Sequence, residues 1–170
     1  MIVRILATSI SASGFAILQS TTLSKLIPIA VVPDIAMILL VVLAMRYGSI
    51  PGEISGFLVG LSIDAISLAS FGFHAFIFVL IGYLAGKFKS NFSFNPLLVP
   101  AAVVALATLV KYASAVLLSS FFGLGLGLMR LFSLRTIWEL LANIVLAPLI
   151  FLVAFSIYDS VDRSRGHTIE

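Results

Sequence analysis

The sequence predicts an all-α integral membrane protein, a bundle of about six transmembrane helices, and three observations predict it. Of the 170 residues, 61% are hydrophobic and only 10% are charged. The mean hydropathy of +1.23 is far above what a water-soluble domain tolerates. The apolar residues also come as successive runs near the roughly 20 residues that a helix needs to cross a bilayer. Backbone in lipid must satisfy its own hydrogen bonds, so the runs are expected to be helices.

The candidate spans lie near 5–24, 26–45, 50–69, 71–87, 97–120 and 137–157. Their loops leave no room for a soluble domain, and residues 1–170 read as a single transmembrane helical domain. Met1, Arg4 and the apolar run after them mimic a signal peptide, but no small-residue cleavage site leads into a soluble region. An uncleaved first span is expected. Cysteine is absent, which removes disulfides, thiolate metal sites and Cys nucleophiles. The net charge of +3 comes from basic residues scattered at span ends, which suits a membrane protein better than a nucleic-acid binder.

With a cytoplasmic N-terminus, Arg4, Arg46, Lys87, Lys89, Arg163 and Arg165 fall inside and Lys25, Arg130 and Arg135 outside. This bias, about six to three, fits both termini in the cytoplasm under the positive-inside rule.

The first span is the most polar, with Thr8, Ser9, Ser11, Ser13 and Gln19 among its residues. Such groups hydrogen-bond between helices, so this span is expected to face protein as well as lipid. In the second, Pro28 and Pro33 interrupt the helix. Its regular part is expected to begin at Pro33, in the favoured first turn. Asp34 then lies at a helix N-terminus, where a negative charge suits the macrodipole.

Gly52, Gly56 and Gly60 recur every fourth residue in the third span, with Asp64 on the same face. The fourth span answers with His74, Phe78, Gly82 and Gly86. Small residues at that spacing let helix backbones approach closely in lipid. A hairpin turning near Ala69 would set Gly52 against Gly86, Gly56 against Gly82, Gly60 against Phe78 and Asp64 against His74. The fifth span carries Lys111. Residues 121–136, Gly-punctuated and basic, read as an interfacial or re-entrant segment. The sixth opens with Trp138 and Glu139, contains Asn143 and Pro148, and gives way to a polar tail from Asp159.

Asp64 stands out chemically because an intramembrane carboxylate is costly and usually buried. A structural bond to His74, Lys111 or another polar neighbour is the bland reading. Proton coupling is the sharp one, but no series of acidic residues runs through the core to carry a proton. Lys111 pairs with Glu139 or neutralises Asp64, and the sequence leaves both open. His74 reads as a structural partner, and with His167 in the tail as the other histidine no metal site is expected. The 123–127 GLGLG string lacks the spacing and strand-turn-helix setting of a nucleotide fingerprint. The serines have no His and acid arrangement recognisable for nucleophilic catalysis. No enzyme activity and no cofactor are expected.

An ordered set of motifs carries a family resemblance: Pro33-Asp34; Arg46-Tyr47-Gly48; Gly56-Phe57-Leu58-Val59-Gly60-Leu61-Ser62-Ile63-Asp64; Phe71-Gly72-Phe73-His74-Ala75; and Gly82-Tyr83-Leu84-Ala85-Gly86. Over about residues 33–87 the chain resembles the bacterial rod-shape-determining MreD family, and length, span count and orientation agree. The resemblance implies a non-enzymatic multi-pass protein of the bacterial cytoplasmic (inner) membrane that maintains cell shape. It would act with MreC, a bitopic protein, to link MreB filaments to RodA and a class B penicillin-binding protein, and so organise lateral peptidoglycan synthesis. The motif residues, with Tyr83 among them, would shape the bundle and its partner surface. From another class, the chain also resembles the substrate-binding S component of energy-coupling-factor vitamin transporters, whose fold MreD proteins share. There Ala12-Ser13-Gly14-Phe15-Ala16 would be the small-residue face for a coupling subunit.

Overall fold

The structure, a computed structural model, describes residues 33–67, 70–89, 98–121 and 133–166, together with Gly14 and Gly123. Five helices are described: α1 (Ile35–Tyr47), α2 (Ser49–Ile66), α3 (Phe73–Gly86), α4 (Leu98–Phe121) and α5 (Leu134–Gly166). No strand occurs among the described residues. The first expected span, with its Ala12–Ala16 face, lies outside them apart from Gly14, which is helical.

Helices α2, α4 and the Leu134–Ile157 part of α5 are long and apolar enough to cross a membrane. The other two are shorter among the described residues: α1 has 13 residues and α3 has 14. At 1.5 Å per residue these reach only about 20 Å, against a hydrocarbon layer of roughly 30 Å. The tail differs from expectation. Helix α5 continues without a break past Asp159 to Gly166, and its first turn takes up residues 134–136 of the supposed re-entrant segment.

Helix α1 is the centre of the bundle. Its side chains from Ala36 to Met45 are buried all round, apart from half-buried Leu39, and it packs against each of the four other described helices. A helix apolar on every face belongs in a core. Pro33 does not enter its first turn as expected. It precedes the cap residue Asp34, whose side chain accepts a hydrogen bond from the Met37 N–H at 3.0 Å. At the other end a single residue, Gly48, joins α1 to α2 with φ of +105°. That conformation is strained for a side chain, which accounts for the glycine of the Arg46-Tyr47-Gly48 motif.

Helices α2 and α3 form an antiparallel hairpin sealed by glycine. A Cβ added to Gly52 would lie under 3.0 Å from the Gly82 carbonyl, and one added to Gly82 would run into the Gly52 carbonyl. Gly56 sits equally close to the Phe78 carbonyl, Gly60 to Ala75, and Gly86 to Ser49. The expected close seam is present, but its register is displaced by one helical turn: Gly52 meets Gly82 rather than Gly86, and Gly56 meets Phe78 rather than Gly82. These pairs centre the hairpin near residue 67 rather than Ala69.

Lys111–Glu139 and Thr108–Asn143 contacts set α4 antiparallel to α5. Asp34–Asn143 and Arg46–Phe155 contacts set α1 parallel to α5. The bundle therefore has two distinct ends. One holds Asp34, the α2–α3 turn and the start of α5; the other holds Gly48, Gly86 and the start of α4.

Candidate functional site

Two polar networks lie toward the Asp34 end. The first is centred on Asp64, whose side chain is fully buried. Its Oδ2 accepts from the backbone N–H groups of Gly72 (2.9 Å) and Ala75 (3.1 Å). Its Oδ1 accepts from the His74 N–H at 2.9 Å and lies 2.8 Å from His74 Nδ1. A carboxylate only accepts, so Nδ1 carries the proton of that contact.

This arrangement is a helix cap supplied from a neighbouring helix. Gly72 is the N-cap of α3, in the left-handed conformation with φ of +93°, and it has no side chain to cap with. The unpaired N–H groups of a helix's first turn need an acceptor, and Asp64 provides it for Gly72, His74 and Ala75. Its negative charge also faces the positive end of the α3 dipole. The structure therefore brings Asp64 and His74 together, and it adds the backbone donors, which residue types alone do not reveal.

The second network joins α1, α4 and α5. Lys111 Nζ donates to Asp34 Oδ2 and, at 2.7 Å, to Glu139 Oε1. The Tyr112 hydroxyl donates to the second oxygen, Oε2, of Glu139. The Asp34 N–H donates to Asn143 Oδ1 at 2.8 Å, and Asn143 Nδ2 donates to Thr108 Oγ1 at 3.1 Å. Thr108 in turn donates to the Val104 carbonyl. Lys111 thus binds Glu139 and Asp34 together, and not Asp64. Sequence reading missed Asp34 as its partner because the two lie 77 residues apart. Thr108 and Tyr112 were also missed; each stands one turn or less from Lys111, on the side of α4 that faces α5.

Between the networks opens a cavity of about 310 Å³. His74 lines one side, and Lys111, Tyr112, Arg135, Thr136 and Glu139 line the other. The remaining motif residues lie elsewhere. Gly52, Gly56, Gly60, Gly82 and Gly86 form the α2–α3 seam. Tyr83 is exposed toward the Gly48 end, where its backbone carbonyl accepts from the Ser49 hydroxyl and its ring lies 4.7 Å from Lys87 Nζ. Pro33 abuts the Asp34 cap. Among the described residues no group of three His, Asp or Glu side chains gathers to hold a metal.

Comparisons with curated proteins and with solved structures gave no match. The family description "rod shape-determining protein MreD" matches residues 3–158. That match extends the resemblance carried by residues 33–87 to nearly the whole chain and supports a part in determining rod shape. The apolar helices, their glycine seam and their buried carboxylates are those of a membrane protein, and the chain belongs to the rod shape-determining protein MreD family.

Proposed function

We propose that the protein is a non-enzymatic scaffold subunit of the bacterial cell-elongation machinery. On this reading it acts with MreC, and through it with RodA, a class B penicillin-binding protein and MreB filaments, to organise lateral peptidoglycan synthesis. The family match over residues 3–158 carries the reading. The fate of the intramembrane carboxylates supports it: Asp64, Asp34 and Glu139 are all engaged by donors within the bundle. Such groups hold helices together. Co-purification of the full chain with MreC from membranes is the test, scored beside cell shape in a depletion strain. Rounded cells restored to rods by the wild-type chain, with MreC retained on it, are expected. A chain that restores shape without binding MreC would overturn the partnership.

We further propose six spans in the inner membrane, residues 5–24 supplying the first, with both termini cytoplasmic. Arg46, Lys87 and Lys89 cluster at the Gly48 end of the bundle, as the positive-inside rule requires of a cytoplasmic face. A cysteine placed by Ser164→Cys should resist membrane-impermeant reagents in intact cells, and ready labelling would invert the topology.

The cavity favours one alternative, a substrate-binding S component of a vitamin transporter. Binding of thiamine, riboflavin or biotin to the purified chain would support it. No binding is expected, since His74 and Tyr112 are the only rings among the described lining residues and Tyr112 is committed to Glu139.

A further inference from the structure

The cavity between the two networks has a lopsided hydrogen-bond account. Its carboxylate is already engaged: Glu139 receives Lys111 on one oxygen and Tyr112 on the other. Asp34 and Asp64, just behind the wall, are likewise occupied. Its cationic donors are not. An ammonium has three N–H donors, and Lys111 uses two, on Asp34 and Glu139, with its side chain still 23% exposed. Arg135 is exposed on the cavity's rim and forms no ion pair or hydrogen bond with any described residue. A guanidinium presents a fork of donors that matches a phosphate in two-point contact.

The surroundings indicate where such an anion comes from. Arg135 lies in the first turn of α5, and Leu134, Ile137, Trp138 and Leu141 beside it are all exposed large apolar side chains. Exposed Trp is typical of the headgroup level of a bilayer. An exposed apolar surface with a Trp beside the cavity would set its opening near the depth of lipid phosphates. Its volume of about 310 Å³ is at the small end of ligand pockets, roughly 300–1,000 Å³, and suits a headgroup rather than a whole lipid. Basic pockets between membrane helices are a recognised way to hold lipid headgroups.

We propose that this cavity binds the phosphate of an anionic phospholipid, with Arg135 and the third N–H of Lys111 as its donors and the acyl chains lying along Leu134, Trp138 and Leu141. The site is independent of whether the chain scaffolds cell elongation, because its test needs no partner protein.

Native mass spectrometry of the purified full chain, titrated with phosphatidylglycerol, phosphatidylcholine and soluble glycerol phosphate, tests it. One phosphatidylglycerol retained per chain in preference to phosphatidylcholine is expected. Arg135→Gln should weaken that retention about tenfold, the scale of a lost charge-assisted contact. Because Arg135 is exposed, the variant should remain folded. Lys87→Gln, at the far end of the bundle, should bind as the wild type does, which separates a site from general attraction to charge. Glycerol phosphate binding as tightly as the lipid would keep the anion site but assign it to a soluble phosphate. Equal retention of both lipids, or unchanged retention by Arg135→Gln, would overturn the proposal.

Discussion

Asp64 and Lys111 are both ionisable side chains held inside the bundle toward the same end, yet they draw partners from different distances along the chain. Asp64 takes its donors from Gly72, His74 and Ala75, 8 to 11 residues later, and three of its four contacts are backbone N–H groups. Lys111 takes Asp34 from 77 residues before it and Glu139 from 28 after it, and both are side chains on other helices. The Asp64 network closes one hairpin. The Lys111 network ties together three helices, including the central α1. Backbone donors stay in place as long as the helix does, whereas charged side chains are satisfied only by each other. The first network should therefore tolerate the loss of a side-chain partner, and the second should not.

The largest effect is expected from Lys111→Met. It leaves half-buried Asp34 and buried Glu139 with no cation between them. Breaking a buried ion pair by removing one partner costs about 3–5 kcal/mol. Folded yield in detergent and thermal stability should both fall steeply. The triple variant Lys111→Met, Asp34→Asn, Glu139→Gln removes the charges together and should recover much of the loss. If the triple variant is as unstable as the single one, charge compensation is not what the network supplies.

Asp64 comes next, and here the geometry sharpens the sequence-based expectation. Both carboxylate oxygens accept two hydrogen bonds, whereas an asparagine side chain has one acceptor oxygen and an amide that only donates. Asp64→Asn therefore keeps one pair of contacts and turns a donor toward the other pair. It should cost about 1–3 kcal/mol, and Asp64→Leu more, since it strands the N–H groups of Gly72, His74 and Ala75. Thermal denaturation of both variants ranks them. Equal stability of the Asn and Leu variants would mean that the cap on α3 contributes little.

How far the two networks were legible in the sequence follows from the same difference in distance. The Asp64–His74 contact arises for a reason other than shared depth: His74 lies level with Gly60, and Asp64, one turn further on, reaches it by capping α3. The glycine register came out one turn off, because the expected turn centre at Ala69 rested on the sequence spacing alone. Asp34 was readable as lying at a helix N-terminus, a local feature, though not as its cap, because Pro33 was expected in the first turn. Its bond to Lys111 was not, because pairing α1 with α4 requires the packing order of the bundle, which hydropathy does not encode. The burial of α1 on every face was hidden for a related reason. A helix apolar all round reads the same whether lipid or protein surrounds it.

The glycine seam separates the hairpin's packing from its cap. Gly56→Ile would place a branched side chain where even a Cβ collides with the Phe78 backbone. Overpacking of this kind costs about 1–3 kcal/mol. Loss of folded protein at elevated temperature, with the Asp64 residue untouched, is the expected result. Wild-type stability would show that α2 and α3 separate readily, leaving the cap alone to hold the turn.

The smallest effect should come from His74→Ala, and it bears most directly on the contrast between the networks. The imidazole supplies one of four contacts to Asp64, and its side chain is 27% exposed toward the cavity. Removing it leaves the N–H groups of Gly72, residue 74 and Ala75 in place, because those donors belong to the backbone. Alanine also favours the helix at that position. The loss should be near 1 kcal/mol, the net worth of an ordinary hydrogen bond, with water able to reach the vacated side. Measured beside Lys111→Met under the same conditions, His74→Ala should shift the melting temperature by a small fraction of the larger variant's shift. A comparable destabilisation by the two would mean that the Asp64 carboxylate depends on the imidazole itself, and that the backbone cap does not hold the charge unaided.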